Sequence, residues 1–209
     1  MAKLESTFKN MVLVLTGITI FAAVALGSVY SLTKEPIAAS KKAKQENAIK
    51  EVLPEYDRLE AEELITLDGF ETPFALYKAY KGDTFVGAAV QSYSGNGFSG
   101  EIKVMVGFDA EGSIVNYSVL EQKETPGLGT KMGDWFKTEK ANQDIRGKHP
   151  ETNNLTVSKD GGEVDAITAA TISSRAFLET IRYAYSAYSQ SNTTSNEVAL
   201  STDSVTVNQ

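Results

Sequence analysis

The longest apolar run is residues 11–30, MVLVLTGITIFAAVALGSVY, which contains no charge. At about 1.5 Å per residue, a helix of that length spans roughly 30 Å, one hydrocarbon core. Lys9 and Lys34 bracket it. A transmembrane anchor over residues 10–33 is therefore predicted, after a short segment 1–9. Helices buried in soluble cores rarely stay apolar all round for so long. A cleaved signal peptide is the rival, and Ala25-Leu26-Gly27 loosely fits its small-residue cleavage site. The run exceeds a usual signal core and no lipobox cysteine is present, which favours an uncleaved anchor. Residues 34–54 read as a neck helix, amphipathic in its second half. Pro36 suits a first helical turn, Ala48, Ile49, Val52 and Leu53 form a stripe at helical spacing, and Pro54 stops the helix.

Beyond residue 54 the period changes. FALYKAY at 74–80 and TFVGAAV at 84–90 flank Lys81-Gly82-Asp83, a hairpin pattern. IKVMVGF at 102–108 and IVNYSVL at 114–120 flank Asp109-Ala110-Glu111-Gly112, a second hairpin. Leu155 and Val157 precede another turn at Lys159-Asp160-Gly161-Gly162. A helix is predicted over 171–188, with Ile172, Phe177, Ile181, Ala184 and Tyr188 on its apolar side. The fold class is thus α+β: a single transmembrane helix, then a mixed, largely antiparallel sheet domain with flanking helices over 55–188. Residues 189–209, rich in Ser, Thr and Asn, are expected to be a disordered tail.

Composition narrows the chemistry. Cysteine is absent, which removes disulfides, thiolate nucleophiles, iron–sulfur clusters and cysteine zinc sites. His149 is the one histidine, so a multi-histidine metal site is excluded. No catalytic residue and no metal ligand is assigned. Net charge is −7 and the isoelectric point about 4.9, which argues against nucleic acid as a partner. Residues 1–54 hold seven Lys against four Glu, so the remainder carries 13 Lys and Arg against 23 Asp and Glu. Five lysines at positions 34, 41, 42, 44 and 50 follow the anchor and two precede it. Taken literally, the positive-inside rule turns the body toward the cytoplasm.

Three segments are candidates for chemistry. Gly95-Asn96-Gly97-Phe98-Ser99-Gly100 allows close backbone approach to a ligand, but connecting turns look similar. Glu124-Thr125-Pro126-Gly127-Leu128-Gly129 follows a strand and can present N–H groups to an anion or a flat ring, with Lys131 just beyond. It reads equally as a tight turn. Asp165-Ala166-Ile167-Thr168-Ala169-Ala170-Thr171, followed by Ile172-Ser173-Ser174-Arg175, gathers hydroxyls where a helix begins. A phosphate is favoured there, yet Thr168 or Thr171 serving as helix cap is the better reading of that segment alone.

Together the segments resemble the FMN-binding G subunits of Rnf-type electron-transport complexes, which are related to the C subunits of the sodium-pumping NADH:quinone oxidoreductase. The resemblance runs from the anchor to about Tyr188 and rests most on ETPGLG at 124–129 and DAITAATISS at 165–174. That family usually carries Ser-Gly-Ala-Thr, whose threonine bears FMN through a phosphoester. The resemblance implies Thr171 as the acceptor, with Thr168 as the alternative. It implies a cofactor site of Thr168, Ala169, Ala170, Thr171, Ser174, Glu124, Thr125, Gly127, Leu128 and Gly129. Trp135, Phe136 and Phe98 are candidates to pack near the flavin, although aromatic residues are more often core. Two positions depart. Thr168-Ala169 replaces Ser-Gly, which matters if that position needs positive φ, and Gln122 stands where a histidine is usual. The implied function is a one-electron carrier between ferredoxin and NAD, coupled to ion translocation. Its implied partners are the other membrane and peripheral subunits, a flavin transferase and the lipid bilayer. It also implies a place in the bacterial inner membrane, with the body on the periplasmic side, against the lysine count. The rivals are the quinone-reductase relative and an anchored binding or assembly domain without flavin.

Overall fold

The computed structural model describes residues 7–203, with side chains through residue 193. The first helix, α1, is continuous over Phe8–Val52. Its apolar stretch buries nothing against the protein, and Leu13, Leu15, Phe21, Val24 and Leu26 are all exposed. Three hydroxyls along this helix are satisfied by the helix itself. Thr19, Ser28 and Thr33 donate to the carbonyls of Leu15, Val24 and Val29 at 2.9, 2.8 and 2.8 Å. Such back-bonding is what a hydrocarbon environment demands of a polar group.

The expected break between anchor and neck is absent: Pro36 lies inside α1 rather than in the first turn of a second helix. Proline removes one N–H from the ladder. The residues around it, Leu32 to Glu35 and Ile37 to Ala39, are mostly good helix formers and carry the helix across. The chain divides into two units between Lys44 and Gln45. From Phe8 on, the first is helix. The second contains the end of α1 and everything after it.

Six strands form one antiparallel sheet: β1 (Arg58–Leu59), β2 (Glu63–Ile65), β3 (Phe74–Lys81), β4 (Thr84–Ser94), β5 (Ile102–Asp109) and β6 (Ile114–Glu121). The order is β1-β3-β4-β5-β6, with β2 also on β3. Both hairpins expected from the alternation are present. In the first, Lys81 pairs with Thr84 across Gly82-Asp83, and in the second, Val106 pairs with Tyr117. Strand β5 is covered on both faces, which is why its sequence is apolar almost throughout. Ile102, Val104, Val106 and Phe108 enter the main core, while Met105 meets Ala48, Ile49, Val52 and Leu53 at the end of α1.

Two further helices complete the body: α2 (Met132–Trp135) and α3 (Thr171–Asp203). Phe177, Ile181, Ala184 and Tyr188 of α3 are buried in the main core, as their spacing predicts. Phe177 stacks on Phe136 at 4.5 Å between ring centroids, so Phe136 is a core residue and not a cofactor contact. Ile172 departs from the expected stripe and is 48% exposed. The disordered tail expected from residue 189 is also corrected, since α3 continues to Asp203. Ser191 is buried and donates to Glu63 Oε2 at 3.0 Å. A helix already packed through Tyr188 grows by propagation alone, which costs far less than nucleating a free segment. Residues 204–209 of that expected tail, and residues 1–6 of the expected first segment, lie outside the described residues.

Candidate functional site

The turn at 124–129 follows from its residue order. Thr125 C=O accepts from Leu128 N–H at 3.1 Å, with Pro126 and Gly127 between them. Gly127 has φ 76°. Proline second and a positive-φ glycine third is the signature of a type II turn. Gly127 N–H donates to Thr130 Oγ1 at 3.0 Å, which closes the turn from below. Gly129 is needed for another reason. A Cβ there would stand 2.6 Å from Ser173 Oγ and 2.7 Å from Glu124 Cβ, so only glycine lets the turn touch the first turn of α3.

Glu124 joins three segments that are remote in sequence. It is 4% exposed. Its Oε1 accepts from the Ser99 N–H at 2.9 Å, and its Oε2 accepts from Ser173 Oγ. Its own N–H donates to Gln122 Oε1 at 2.6 Å. A buried carboxylate requires such donors. The glycine-rich loop 95–100, the 124–129 turn and the start of α3 are thereby drawn together. Gln122, at the position where the sequence departs from the family pattern, supplies the acceptor that fixes the start of the turn.

The segment before α3 is pinned at Asp165. Its N–H donates to Asn142 C=O at 2.9 Å, and its carboxylate accepts from Asn142 N–H at 3.2 Å and Ser158 Oγ at 2.8 Å. Trp135 Nε1 donates to the Asp165 carbonyl at 2.9 Å, so the tryptophan serves this segment from behind. Ala170 N–H then closes a four-residue turn onto Ile167 C=O at 2.9 Å, with Ala169 at φ 60°. That is the left-handed region, where glycine is at ease and alanine is not. Ser174 staples the turn to the helix. Its hydroxyl accepts from Ile167 N–H and donates to Ala170 C=O, both at 2.9 Å. Arg175 is held by two bonds to the Asp160 carboxylate, at 2.6 and 2.7 Å.

The capping reading of Thr168 and Thr171 is not what the structure has. Neither hydroxyl makes a hydrogen bond among the described residues, and no acceptor there takes the N–H of Thr171, Ile172 or Ser173. Three donors at the positive end of a long helix therefore stay open.

These segments enclose a cleft of about 310 Å³, lined by Phe98, Glu124, Thr125, Leu128, Gly129, Ala169, Ala170, Thr171, Ile172 and Ser173. Seven of the ten sequence-derived site residues line it: Glu124, Thr125, Leu128, Gly129, Ala169, Ala170 and Thr171. Thr168 is exposed outside the lining, Gly127 forms the turn beneath, and Ser174 is buried behind. Of the three aromatics expected near the flavin, Phe98 alone lines the cleft. Ile172 and Ser173 were missed. A signal was available for Ile172: the step from it to Phe177 is five residues, which breaks the three-or-four spacing of a buried stripe.

Phosphate fits this arrangement at the open first turn of α3, and a flat apolar ring fits beside Phe98, Leu128 and Ile172. Residues 97–186, which include every lining residue, match the model of the FMN-binding domain family. Fold and site thus define a class: an α+β FMN-binding domain behind a single membrane-anchoring helix. The chain is 36% identical to the G subunit of the ion-translocating oxidoreductase complex of Yersinia pestis over 183 residues, 80% of this chain and 86% of that protein. It is 35% identical to the G subunit from Photorhabdus laumondii, over 79% of this chain and 85% of the relative. The G subunit from Aliivibrio fischeri is 30% identical over 86% and 89%. The chain belongs to this family, the G subunits of ion-translocating oxidoreductase complexes.

Proposed function

We propose that this chain is the membrane-anchored, FMN-bearing electron carrier of an Rnf-type complex, with FMN attached by a phosphoester to Thr171 Oγ1. The observation that carries the reading is the state of Thr171. It opens α3, lines the cleft, makes no cap bond, and is followed by N–H groups without an acceptor. A phosphoester there places its oxygens against those donors and the helix dipole. Thr125 offers its hydroxyl from the opposite wall. Glu124 holds Ser173 and Ser99 in place and so keeps the walls together.

When bound, the flavin supplies the one-electron chemistry, and the protein needs no acid or base of its own. The chain's residues attach, orient and shield. A flavin transferase with FAD as donor installs the group: the threonine oxygen bonds to the FMN phosphorus, AMP leaves, and the hydroxyl proton is released. Partner subunits of the complex provide the ferredoxin, NAD and ion sites. The setting is the bacterial inner membrane with the body outside the cytoplasm.

The test is flavin fluorescence of the denatured protein in a gel, with peptide mass mapping, after expression beside the transferase. The wild type is expected to fluoresce and to carry FMN on the peptide containing Thr171. Thr171→Ala is expected to be dark yet folded, since the half-buried Thr171 hydroxyl makes no hydrogen bond that the fold would lose. Thr168→Ala is expected to keep its flavin. A fluorescent Thr171→Ala band would reject the assignment.

A further inference from the structure

Behind the 95–100 loop, a knot of polar groups stands outside the lining of the cleft. Its centre is Glu179, about two helical turns past Thr171 on α3. Glu179 Oε2 accepts from Ser94 Oγ and from Asn96 Nδ2, both at 2.8 Å. Ser94 Oγ in turn accepts from the Asn96 N–H at 3.2 Å. Ser94 is buried, whereas Asn96 is exposed to water. The knot fastens the end of β4 and the first half of the loop to α3.

The residue after Asn96 is fixed by space. A Cβ at Gly97 would run into the Gly100 carbonyl oxygen and stand 2.8 Å from Glu124 Oε1. Asn96 is fixed by its amide, a donor that an aspartate in its place would lack. The fold thus requires asparagine followed by glycine, and this is the one such pair in the chain. Asparagine is among the thermally labile residues. A following glycine makes it most so, because no side chain shields the next backbone nitrogen. The Gly97 N–H donates to no acceptor among the described residues, so that nitrogen is free to react.

We propose that Asn96 is a site of spontaneous deamidation and that Glu179 holds the reaction back. The Gly97 nitrogen gives up its proton and bonds to Asn96 Cγ, the Cγ–Nδ2 bond breaks, and ammonia leaves. Water then opens the five-membered imide at either carbonyl, which leaves aspartate or isoaspartate at position 96. Water is the sole co-reactant, and nothing is oxidised or reduced. The bond from Nδ2 to Glu179 restrains the side-chain rotation that ring closure needs. The product cannot remake the knot. A carboxylate has no donor for Glu179 and sets a second negative charge beside it. Isoaspartate also adds one carbon to the main chain next to Gly97, where there is no room for one. The first half of the loop is thereby released from α3. None of these steps depends on a bound flavin.

The experiment incubates the full chain in detergent at mildly alkaline pH and follows it by peptide mass mapping. The variants are Glu179→Ala and Glu179→Gln, and wild type unfolded in guanidinium is the reference. The folded wild type is expected to exchange amide for acid at Asn96. It should do so about 10-fold more slowly than the unfolded chain, the effect of one hydrogen bond to a charged group. Glu179→Ala is expected to approach the unfolded rate. Glu179→Gln keeps an oxygen acceptor and should fall between. Hydrogen exchange over residues 95–100 reads the consequence, and is expected to quicken about 10-fold in Asn96→Asp and in the aged wild type alike. An intact Asn96 in the folded chain, under conditions that deamidate the unfolded one, would overturn the proposal. Equal rates in wild type and both Glu179 variants, with native circular dichroism, would overturn the restraint by Glu179. Unchanged exchange in Asn96→Asp would overturn the release of the loop.

Discussion

At the scale of single residues, Ala169 carries the clearest unrelieved cost. Its φ of 60° brings Cβ against its neighbouring carbonyl. Glycine removes that clash but has more entropy to lose on folding, so Ala169→Gly should stabilise the protein by a net of about 0.5–1 kcal/mol. Urea unfolding of the full chain in detergent measures it, and an unchanged or lower midpoint would mean the turn has relaxed around alanine. Flavin content should be equal or higher, because the turn that presents Thr171 keeps its shape. Asp144 gives a pH signature. The Arg146 guanidinium donates to its carboxylate at 2.6 to 3.2 Å and holds its pKa below the usual value. The folded state thus binds its proton less readily than the unfolded chain. The stabilisation is complete above the unfolded carboxyl value of about 4 and drains away as pH falls through the lower folded value. Asp144→Asn should therefore cost up to about 1 kcal/mol at neutral pH, with the deficit vanishing toward strongly acidic pH. A constant deficit at all pH values would contradict the charge origin.

Among elements, the contact between the 124–129 turn and the start of α3 decides whether a cleft exists. Gly129→Ala would drive a methyl group into Ser173 Oγ and Glu124 Cβ. Separating the two should cost about 1–3 kcal/mol, the usual range for overpacking, and should lower flavin content together with stability. Retained flavin with native stability would show that the walls adjust freely. This contact also marks the boundary of what the chain reveals in one dimension. The hairpins were legible because alternation and turn residues lie within a few positions of each other. The type II turn was legible because Pro126 and Gly127 are adjacent. The bridge from Glu124 to Ser99 and Ser173 was not, because it joins residues 25 and 49 positions apart and no local pattern encodes it. The continuity of α1 through Pro36 and the extension of α3 beyond Tyr188 were hidden for the opposite reason. In both places local composition argued for a break, and helix already formed on one side carried through. Ile172 was read as core since it is apolar and near the right phase, although its position beside the acceptor threonine gives it to the cleft.

For the whole molecule, the open matter is the side of the membrane on which the body works, and two arguments point in opposite directions. Lys34, Lys41, Lys42, Lys44 and Lys50 follow the apolar run, while Lys3 and Lys9 precede it, and a count of positive charge turns the body inward. Lys41, Lys42 and Lys44 lie 8 to 11 residues beyond residue 33 on a continuous helix, within the distance over which the rule counts charge. Acidic residues count for little in this rule, so the 23 Asp and Glu of the body do not hold it back, and large domains translocate largely regardless of their charge. The body is therefore expected outside the cytoplasm. Alkaline phosphatase fused after residue 209 should be active in cells, and green fluorescent protein at the same site should be dark. Lys41, Lys42 and Lys44 changed together to Gln should leave that pattern as it is, because the bias they create opposes it and its removal favours it. Adding lysines directly after residue 33 should weaken it. A fluorescent fusion with silent phosphatase in the wild type would show that the lysines after the span set the orientation, and would place the cleft at Thr171 on the cytoplasmic side.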